Sequence, residues 1–261
     1  MKLSSDIAAI VTGGASGLGE ATARLLASRG VKVGIFDFNK ERGQEVAKEI
    51  GAVFAHVNVA DDKMVDAGFD FIRAANGQER ILVNAAGIGL GMKTASRKRD
   101  TGEILAHDVA AFKRVIDINL FGSFLCASKS AAGMMSIEPT APDGERGVII
   151  NTASVAAQDG QIGQLAYAAS KGGILAMALP MARDLAREGI RANTILPGFF
   201  ETPIYEQMKP EVKENLRAHV QFPNRFGDPK EFAELAEFMI TQTYLNAEYI
   251  RTDAGARMPP R

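Results

Sequence analysis

Short apolar runs rich in β-branched residues alternate along this chain with longer helix-like stretches of mixed polarity. The apolar runs predict strands, and the longer stretches predict helices. The strand-like runs are residues 7–12, 31–37, 52–57, 81–84, 148–152, 190–196 and 248–252. The helix-like stretches are residues 17–28, 40–50, 61–75, 108–135, 167–187 and 229–241.

This alternation predicts the architecture. Strands that are apolar on both faces are typical of a parallel sheet with helices on both sides. We therefore expect an α/β single-domain Rossmann fold over residues 1–261, with a doubly wound parallel sheet of about seven strands. Two polar segments, residues 93–107 and 138–146, interrupt the alternation and are expected at the surface.

Composition and charge narrow the class of protein. The 261 residues suffice for one α/β domain with a full core, and 46% apolar residues with 23% charged residues are ordinary for a soluble globular protein. The formal net charge of −1 gives no reason to expect a nucleic-acid or membrane partner. The longest uncharged run, residues 7–19, is too short to span a bilayer, and no signal segment precedes the first strand.

Cysteine and histidine usage exclude two further kinds of site. Cys126 is the only cysteine, so no internal disulfide can form, which fits a reducing compartment and a cytoplasmic location. We interpret Cys126 as a small buried apolar residue instead of a reactive thiol. His56, His107 and His219 lack metal-ligand spacing, so no metal is expected.

A glycine-rich segment joins the first predicted strand to the first predicted helix. Its sequence is Thr12-Gly13-Gly14-Ala15-Ser16-Gly17-Leu18-Gly19. Glycines let the backbone turn tightly and approach a pyrophosphate, whose charge then meets the unpaired N–H groups of a helix N-terminus. An isolated glycine pattern is more often a structural turn, but the strand before it and the helix after it favour a dinucleotide site.

Asp37 ends the second predicted strand, eighteen residues after Gly19. A carboxylate there can accept hydrogen bonds from the adenosine ribose and repel a 2′-phosphate, which favours NAD over NADP. The alternative for Asp37 alone is a helix N-cap or turn residue. Residues 84–87 end the fourth strand at the sheet edge where ligands bind in such folds, although by themselves they indicate only a strand end and a turn.

Candidate catalytic groups lie in the second half of the chain. Tyr167 and Lys171 are four residues apart, so they share one face of a helix. An ammonium about 4 Å from a phenolate contributes roughly 4 kcal/mol at an effective dielectric constant near 20, enough to lower the tyrosine pKa by two to three units. That change would bring Tyr167 close to the working pH of an acid–base catalyst.

Ser154 follows the predicted strand 148–152 and can donate to a substrate oxygen, and Asn119 lies on a helix expected beside it. Each residue also has an ordinary interpretation. The Tyr167–Lys171 pair could be incidental, Ser154 could cap a turn, and Asn119 could bond the backbone. Their occurrence in order, each near the same sheet edge, favours a site.

The ordered set resembles the short-chain dehydrogenase/reductase family over essentially the whole chain. The matching motifs are Thr12-Gly13, Asn84-Ala85-Ala86-Gly87, Asn119, Ser154, Tyr167 with Lys171, Pro197-Gly198 and Thr202. The resemblance implies that Tyr167 is the general acid/base, that Ser154 orients the substrate oxygen, and that Lys171 and Asn119 complete a proton relay through water. The NAD-binding residues it implies are Gly13, Ser16, Gly17, Leu18, Gly19, Asp37, Asn58, Val59, Asn84, Ala85, Gly87, Tyr167, Lys171, Pro197 and Thr202.

Two of these positions carry a specific expectation. By the resemblance, Thr202 holds the nicotinamide carboxamide. Asn58 stands where the family usually has an aspartate that contacts the adenine amino group, and it keeps a carbonyl acceptor.

Within the family, several segments resemble the type II 3-hydroxyacyl-CoA dehydrogenases, also called 17β-hydroxysteroid dehydrogenases of type 10. These include residues 151–157, 160–164, 179–185 and 222–229. The resemblance implies oxidation of 3-hydroxyacyl-CoA with NAD by a homotetramer. Two alternatives stay open: a hydroxysteroid or other secondary-alcohol dehydrogenase, and an NAD-binding scaffold with vestigial catalysis.

The substrate is expected to meet residues 199–220. Phe199, Phe200, Ile204, Tyr205 and Met208 suit an acyl chain or a sterol ring, but they could equally pack a short helix, residues 203–220, onto the domain. The basic run 97–99 could meet the phosphates of a CoA carrier, although a solvated basic loop is the more ordinary interpretation.

Overall fold

Seven parallel strands form the central sheet of the computed structural model, which describes residues 1–203 and 208–260. The strands in chain order are β1 (Ala8–Thr12), β2 (Lys32–Asp37), β3 (Val53–His56), β4 (Ile81–Asn84), β5 (Ala95–Arg97), β6 (Ile104–Ala106), β7 (Gly147–Thr152), β8 (Ile190–Pro197) and β9 (Tyr249–Thr252). The order across the sheet is β3-β2-β1-β4-β7-β8-β9, while β5 and β6 form a separate antiparallel hairpin. In the register of the sheet, Thr12 pairs with Phe36 on one side and with Asn84 on the other.

Helices cover both faces of the sheet. They are α1 (Gly17–Ser28), α2 (Lys40–Ile50), α3 (Asp62–Asn76), α4 (Val109–Val115), α5 (Gly122–Met134), α6 (Leu165–Leu185), α7 (Pro210–Arg217) and α8 (Pro229–Thr241). Side-chain oxygens of Asn39, Asp61, Asp108 and Asp228 cap the N-termini of α2, α3, α4 and α8. These caps satisfy N–H groups that have no partner inside a helix, which fixes where each helix begins.

The core consists of two apolar layers, one on each face of the sheet. Along β1, Ala9 and Val11 join the layer beneath α1 and α8, whereas Ile10 joins the layer beneath α3 and α5. The strands alternate between the faces with period two, and the central strands are buried on both. The predicted α/β Rossmann fold with seven parallel strands is confirmed. The assignment of 1–261 to a single domain stays a prediction.

The polar segment 93–107 lies at the surface as expected and contains a regular element that was not predicted. It contains the β5–β6 hairpin, in which Ala95 pairs with Ala106 and Arg97 with Ile104. The two strands have three residues each and all six are exposed. So short an exposed strand shows no apolar pattern along the sequence, which is why the hairpin was not predicted.

A π-helical turn, Ile116–Phe121, joins α4 to α5 within the predicted helix 108–135. Such turns insert one extra residue into a helix and occur frequently at functional sites. Directly after this turn, a Cβ on Gly122 would lie 2.8 Å from Val59 Cγ2. The helix therefore passes close to the strand end that carries Asn58 and Val59.

Helix α6 is unusually apolar. In the described part of the chain, the stretch Leu165–Glu188 is the one helix with the length and composition to cross a membrane, with a mean hydropathy of 1.2 and a third of that window buried. Core helices of soluble proteins pass the same test, so this is weak support for a membrane span. The helix packs against β8 and carries Lys171, which is buried against the sheet.

Candidate active site

A cleft of about 970 Å³ lies along the carboxyl ends of the central strands. Residues that follow five successive strand ends line it, including Gly13, Asp37, Asn58, Ala85 and Ser154. β1 and β4 are neighbours in the sheet, and the chain leaves their carboxyl ends in opposite directions, so a crevice opens between the two loops. Ligands bind at this crevice in doubly wound sheets.

The glycine loop between β1 and α1 requires glycine at specific positions. Gly13 and Gly17 have φ angles of 68° and 54°, in the left-handed region that other residues avoid. A Cβ on Gly19 would lie 2.2 Å from the carbonyl oxygen of Gly13, so no larger residue fits without moving the loop. Ser16 precedes α1 without a side-chain hydrogen bond to the helix. The first N–H groups of α1 therefore face the cleft without a side-chain cap, which fits binding of a pyrophosphate.

Asp37 is held by the main chain on two sides. Its Oδ2 accepts the N–H of Ala15 at 3.0 Å, and its Oδ1 accepts the N–H of Asn39 at 2.8 Å. Each oxygen keeps a lone pair, so the carboxylate can still accept from ribose hydroxyl groups in the cleft. The first bond also fixes the glycine loop against the end of β2. Phe38, which the sequence analysis did not single out, is 69% exposed and lines the cleft beside Asp37.

Asn58 uses its acceptor locally. Its Oδ1 accepts the N–H of Ala60 at 3.1 Å, although the residue lines the cleft next to Val59. One of the two lone pairs of the carbonyl oxygen expected to face the adenine is therefore engaged by the main chain, and the other remains for the adenine. On the opposite side of the glycine loop, Thr202 approaches Gly17, whose added Cβ would lie 3.2 Å from Thr202 Cγ2.

Asn84 does not enter the cleft. It is 2% exposed, and its Nδ2 donates to the carbonyl of Ser123 at 3.1 Å and to Asn151 Oδ1 at 3.0 Å. The side chain ties β4 to β7 and to α5 below the site. Ala85, Ala86 and Gly87 follow it and line the cleft. The side chain of Asn84 is therefore placed as a structural support and not as a ligand-facing group.

Asn119 also holds protein groups instead of facing the cleft. Its Oδ1 accepts the N–H of Ile88 at 2.8 Å, and its Nδ2 donates to the Ile88 carbonyl at 2.9 Å and to Ser170 Oγ at 3.0 Å. Ser170 Oγ donates to the carbonyl of Tyr167 at 2.7 Å. Both amide hydrogens of Asn119 are thus used. The side chain links the π turn to the helix of Tyr167, and this backbone-bonding role is the alternative considered from the sequence.

Ser154 and Tyr167 lie together at the end of β7. Ser154 caps the short 3₁₀ turn Val155–Ala157, with its Oγ accepting the N–H of Ala156 at 3.1 Å. Its hydroxyl hydrogen remains for the Tyr167 phenol, with which it forms a side-chain hydrogen bond. Both residues line the cleft, so a substrate oxygen could contact both hydroxyl groups.

Lys171 lies one turn after Tyr167 and is 5% exposed. Its Nζ donates to the carbonyl of Thr152 at 2.8 Å and lies 5.7 Å from the centre of the Tyr167 ring. A Cβ added to Gly87 would be 3.5 Å from this Nζ and 3.2 Å from Asn119 Oδ1. The side chains of Lys171 and Asn119 thus both lie close to Gly87, in the loop that follows β4.

The expected lowering of the Tyr167 pKa is not found. Burial raises the pKa of the Tyr167 phenol, and the hydrogen bond from Ser154 opposes that change only in part. Burial also lowers the pKa of Lys171 to about 8. The attraction estimated from the sequence was taken at 4 Å and before desolvation opposes it. In the structure Lys171 Nζ lies 5.7 Å from the centre of the ring, and the cost of burying the phenolate determines the direction of the shift.

The position of Lys171 predicts a pH-dependent effect on stability. Between pH 8 and 10.5 the unfolded chain holds a proton that the folded protein has released, so this lysine makes stability rise with pH across that window. The free energy of unfolding rises by about 1.4 kcal/mol per pH unit in this window, which gives a total of about 3 kcal/mol. Lys171→Met removes the titrating group. We expect the variant to be more stable relative to the parent at pH 7 than at pH 10, measured by urea unfolding at both pH values.

The exposed Lys63 of α3 provides a matched control. Lys63→Met should show the same stability difference from the parent at both pH values. A Lys171→Met difference that does not change with pH would contradict a buried ammonium at position 171.

The cleft collects most of the residues predicted from the sequence. Of the predicted cofactor set, those that line it are Gly13, Ser16, Gly17, Leu18, Gly19, Asp37, Asn58, Val59, Ala85, Gly87, Tyr167, Lys171, Pro197 and Thr202. Gln164 and Met258 also line it and were not predicted. Gln164 lies three residues before Tyr167, a spacing that could have drawn attention to it, whereas nothing in the sequence marks Met258.

Comparison with known proteins agrees with this geometry. The family model described as short chain dehydrogenase matches residues 7–213. A Rattus norvegicus protein named 3-hydroxyacyl-CoA dehydrogenase type-2 is 43% identical over 97% of this chain and 96% of its own length. The Homo sapiens and Drosophila melanogaster proteins of the same name are 44% and 45% identical, over 97% and 96% of this chain and 96% and 97% of their own lengths.

A solved structure agrees as well. The crystal structure of 3-hydroxyacyl-CoA dehydrogenase type-2 from Mycobacterium avium has a TM-score of 0.91 and 40% identity, and the match covers 98% of both chains. The chain belongs to the short-chain dehydrogenase family and is an oxidoreductase that uses a nicotinamide cofactor.

Proposed function

We propose that this enzyme interconverts 3-hydroxyacyl-CoA and 3-ketoacyl-CoA with NAD as its cofactor. The observation that carries the proposal is the meeting of Ser154, Tyr167 and Lys171 in one cleft with the glycine loop and Asp37. The relatives named 3-hydroxyacyl-CoA dehydrogenase type-2 support the choice of substrate, since they match almost the full chain at 43% to 45% identity.

The carboxylate of Asp37 supports NAD over NADP. It accepts two main-chain N–H groups and keeps acceptor capacity toward a ribose. A 2′-phosphate at the same place would bring a second negative charge against this fixed carboxylate. The nearby Arg42 does not offset that charge, because its guanidinium already binds Glu20 and Glu45.

The protein groups account for the proton movements. In the oxidation direction the Tyr167 phenolate removes the proton from the substrate hydroxyl oxygen, while hydride leaves the carbon that carries this oxygen and the C=O bond forms. Nicotinamide, when bound, supplies the acceptor for that hydride. When the substrate is bound, the hydroxyl hydrogen of Ser154 turns from the phenol to the substrate oxygen. The Lys171 ammonium contributes a positive charge near the phenolate. In the reverse direction the neutral phenol gives its proton to the ketone oxygen, and its raised pKa suits that role at neutral pH.

The predicted substrate segment has two environments. Phe199 and Phe200 line the cleft but are only 7% and 4% exposed, because Phe199 packs in a small cluster with Val220 and Phe200 packs in the main core. Met208 lines the cleft as well, and Ile204 and Tyr205 lie outside the described residues. Both phenylalanines therefore pack onto the domain, and their position at the cleft supports the proposal that they also contact the substrate.

The β5–β6 hairpin is the proposed contact for the phosphates of CoA. Arg97 donates to the carbonyl of Gly102 and Lys98 pairs with Glu103, so these two basic side chains stabilise the hairpin itself. Arg99 is exposed at the tip of the hairpin. Guanidinium groups bind phosphate well, so we assign the phosphate contact to Arg99.

The assembly is proposed to be a homotetramer in the cytoplasm. The support is a set of apolar side chains on α5, α6 and the π turn that are 42% to 48% exposed: Phe121, Phe124, Leu165 and Leu179. Exposed apolar patches of this kind mark protein interfaces. The buried free thiol of Cys126 is compatible with a reducing compartment.

Acetoacetyl-CoA tests the proposed function directly. We expect the enzyme to reduce it with NADH and to use NADPH at least about tenfold less efficiently, because the 2′-phosphate meets Asp37. The measurement is the loss of NADH absorbance. Ethyl acetoacetate, which has the same 3-keto group but no CoA, is the comparison substrate. Turnover of a hydroxysteroid or a simple secondary alcohol without turnover of acetoacetyl-CoA would move the function to another branch of the family.

A further inference from the structure

The residues that follow β9 turn back onto the cleft. This C-terminal segment, residues 253–260, begins with a turn and then buries Ala256 in the small apolar cluster of Phe199, Val220 and Phe226. Met258 packs against the same cluster and also lines the cleft. The segment therefore connects the predicted substrate region to the active site.

Two hydrogen bonds attach the segment to the loop between Ser154 and Tyr167. Gln161 Nε2 donates to the carbonyl of Pro259, and the N–H of Ile162 donates to the carbonyl of Pro260, both at 3.0 Å. The N–H of Gln161 in turn donates to Gln164 Oε1 at 3.0 Å, which fixes a side chain that lines the cleft. The segment and this loop thus form one continuous wall.

A partly buried ion pair anchors the start of the segment. Arg251 donates to Asp159 Oδ2 at 2.7 Å, to Asp253 Oδ2 and to the carbonyl of Ala256. The main-chain N–H of Met258 lies near the Asp159 carboxylate and, after Arg251, adds to the lowering of its pKa. The main chain on both sides of the Met258 side chain is therefore fixed, and the two prolines that follow restrict it further.

We infer that Met258 is a specificity-determining residue whose side chain limits the length of the acyl chain that the cleft accepts. This inference rests on the proposed function. The neighbouring main chain is hydrogen-bonded and cannot yield easily, whereas the methionine side chain is unbranched, apolar and partly buried at the cleft surface. A substitution at Met258 can therefore change the space in the cleft without moving the main chain of the segment.

The test measures chain-length preference. We expect Met258→Ala to raise the ratio of kcat/KM for 3-ketooctanoyl-CoA over acetoacetyl-CoA by about tenfold, because shortening the side chain makes room for additional methylene groups. Met258→Phe should lower the same ratio. Met135, which is 45% exposed and outside the cleft, provides the control, and Met135→Ala should leave the ratio unchanged.

Asp159→Asn tests the anchor independently. It weakens the ion pair with Arg251, so we expect faster hydrogen exchange at Ile162 and a higher KM for acetoacetyl-CoA, with a smaller change in kcat. Unchanged exchange at Ile162 would contradict the proposed attachment of the segment.

The ethyl esters of the same 3-keto acids separate this inference from the proposed function. If the parent enzyme reduces the esters but no CoA thioester, the proposed substrate is wrong, and the esters still measure the chain-length ratio. If Met258→Ala and Met258→Phe leave the ratio unchanged or move it in the same direction, the inference is wrong. Reduction of neither series would reject both.

Discussion

Tyr167→Phe is expected to lower kcat for acetoacetyl-CoA reduction by about a thousandfold or more. General acid–base catalysis by one side chain typically contributes about 10²–10⁴ in rate, and this variant removes the proton donor while it keeps the ring. Because the phenol lies at the cleft beside Ser154, we expect no loss of fold. Steady-state kinetics with NADH and thermal unfolding check the two parts of this expectation.

Tyr244→Phe is the matched control, since Tyr244 is fully exposed and lies outside the cleft. It should retain the parent kcat. If the Tyr167→Phe enzyme keeps more than about a tenth of the parent kcat, Tyr167 is not the proton donor of the reaction.

The raised pKa of Tyr167 gives the same prediction a pH dependence. The phenol is protonated at neutral pH, so ketone reduction has its proton donor there. Alcohol oxidation needs the phenolate, whose fraction grows as pH rises toward the pKa. We therefore expect kcat/KM for oxidation to rise with pH above neutrality and kcat/KM for reduction to fall at high pH. The opposite pair of slopes would contradict Tyr167 as the titrating group.

Gly19→Ala is expected to weaken NADH binding by about a hundredfold. The added Cβ would lie 2.2 Å from the Gly13 carbonyl oxygen and 2.7 Å from its carbonyl carbon. Both are main-chain atoms of a turn, so the loop has to move by roughly 1 Å. A misplacement of that size can cost about 10² in the rate of a catalysed reaction, and we expect a loss of similar size in cofactor affinity. The dissociation constant of NADH, measured by fluorescence titration, checks this value.

Gly172→Ala provides the comparison for the glycine loop. Gly172 lies on α6, and its added Cβ meets nothing within 4 Å. NADH binding should be unchanged, because alanine is well tolerated in a helix. Equal affinities for the Gly19→Ala and parent proteins would show that the loop can open without loss of cofactor contacts.

The sequence predicted the sheet and most of the cleft because both depend on local patterns. The strand 81–84 and the helices 17–28, 40–50 and 229–241 have the predicted bounds, since apolar runs, caps and glycines are readable along the chain. The positions of Gly13 and Asp37 follow from the strand ends that carry them. The hairpin of residues 95–106 has no such pattern.

Side-chain orientations were less accessible to prediction. Asn84 and Asn119 were assigned to the site from their motifs, but both side chains bond protein groups beside it. For Asn119 the reason is the π turn, whose geometry depends on packing against a distant strand end. Met258 is held at the cleft because Pro259 and Pro260, which follow it, accept hydrogen bonds from Gln161 and Ile162, nearly a hundred residues earlier in the sequence. No local spacing therefore indicates it.

The π turn of residues 116–121 has a consequence for changes of chain length. One extra residue in a helix rotates everything after it by about 100°. Residues of α4, before the π turn, line the cleft. After the π turn, the carbonyl of Ser123 accepts a hydrogen bond from Asn84 Nδ2 at the end of β4. A single deletion here would put the two halves out of phase, so one of them would lose its contacts. Evolution or design can vary the length of the outlying loops of this enzyme, but this segment has to keep its residue number.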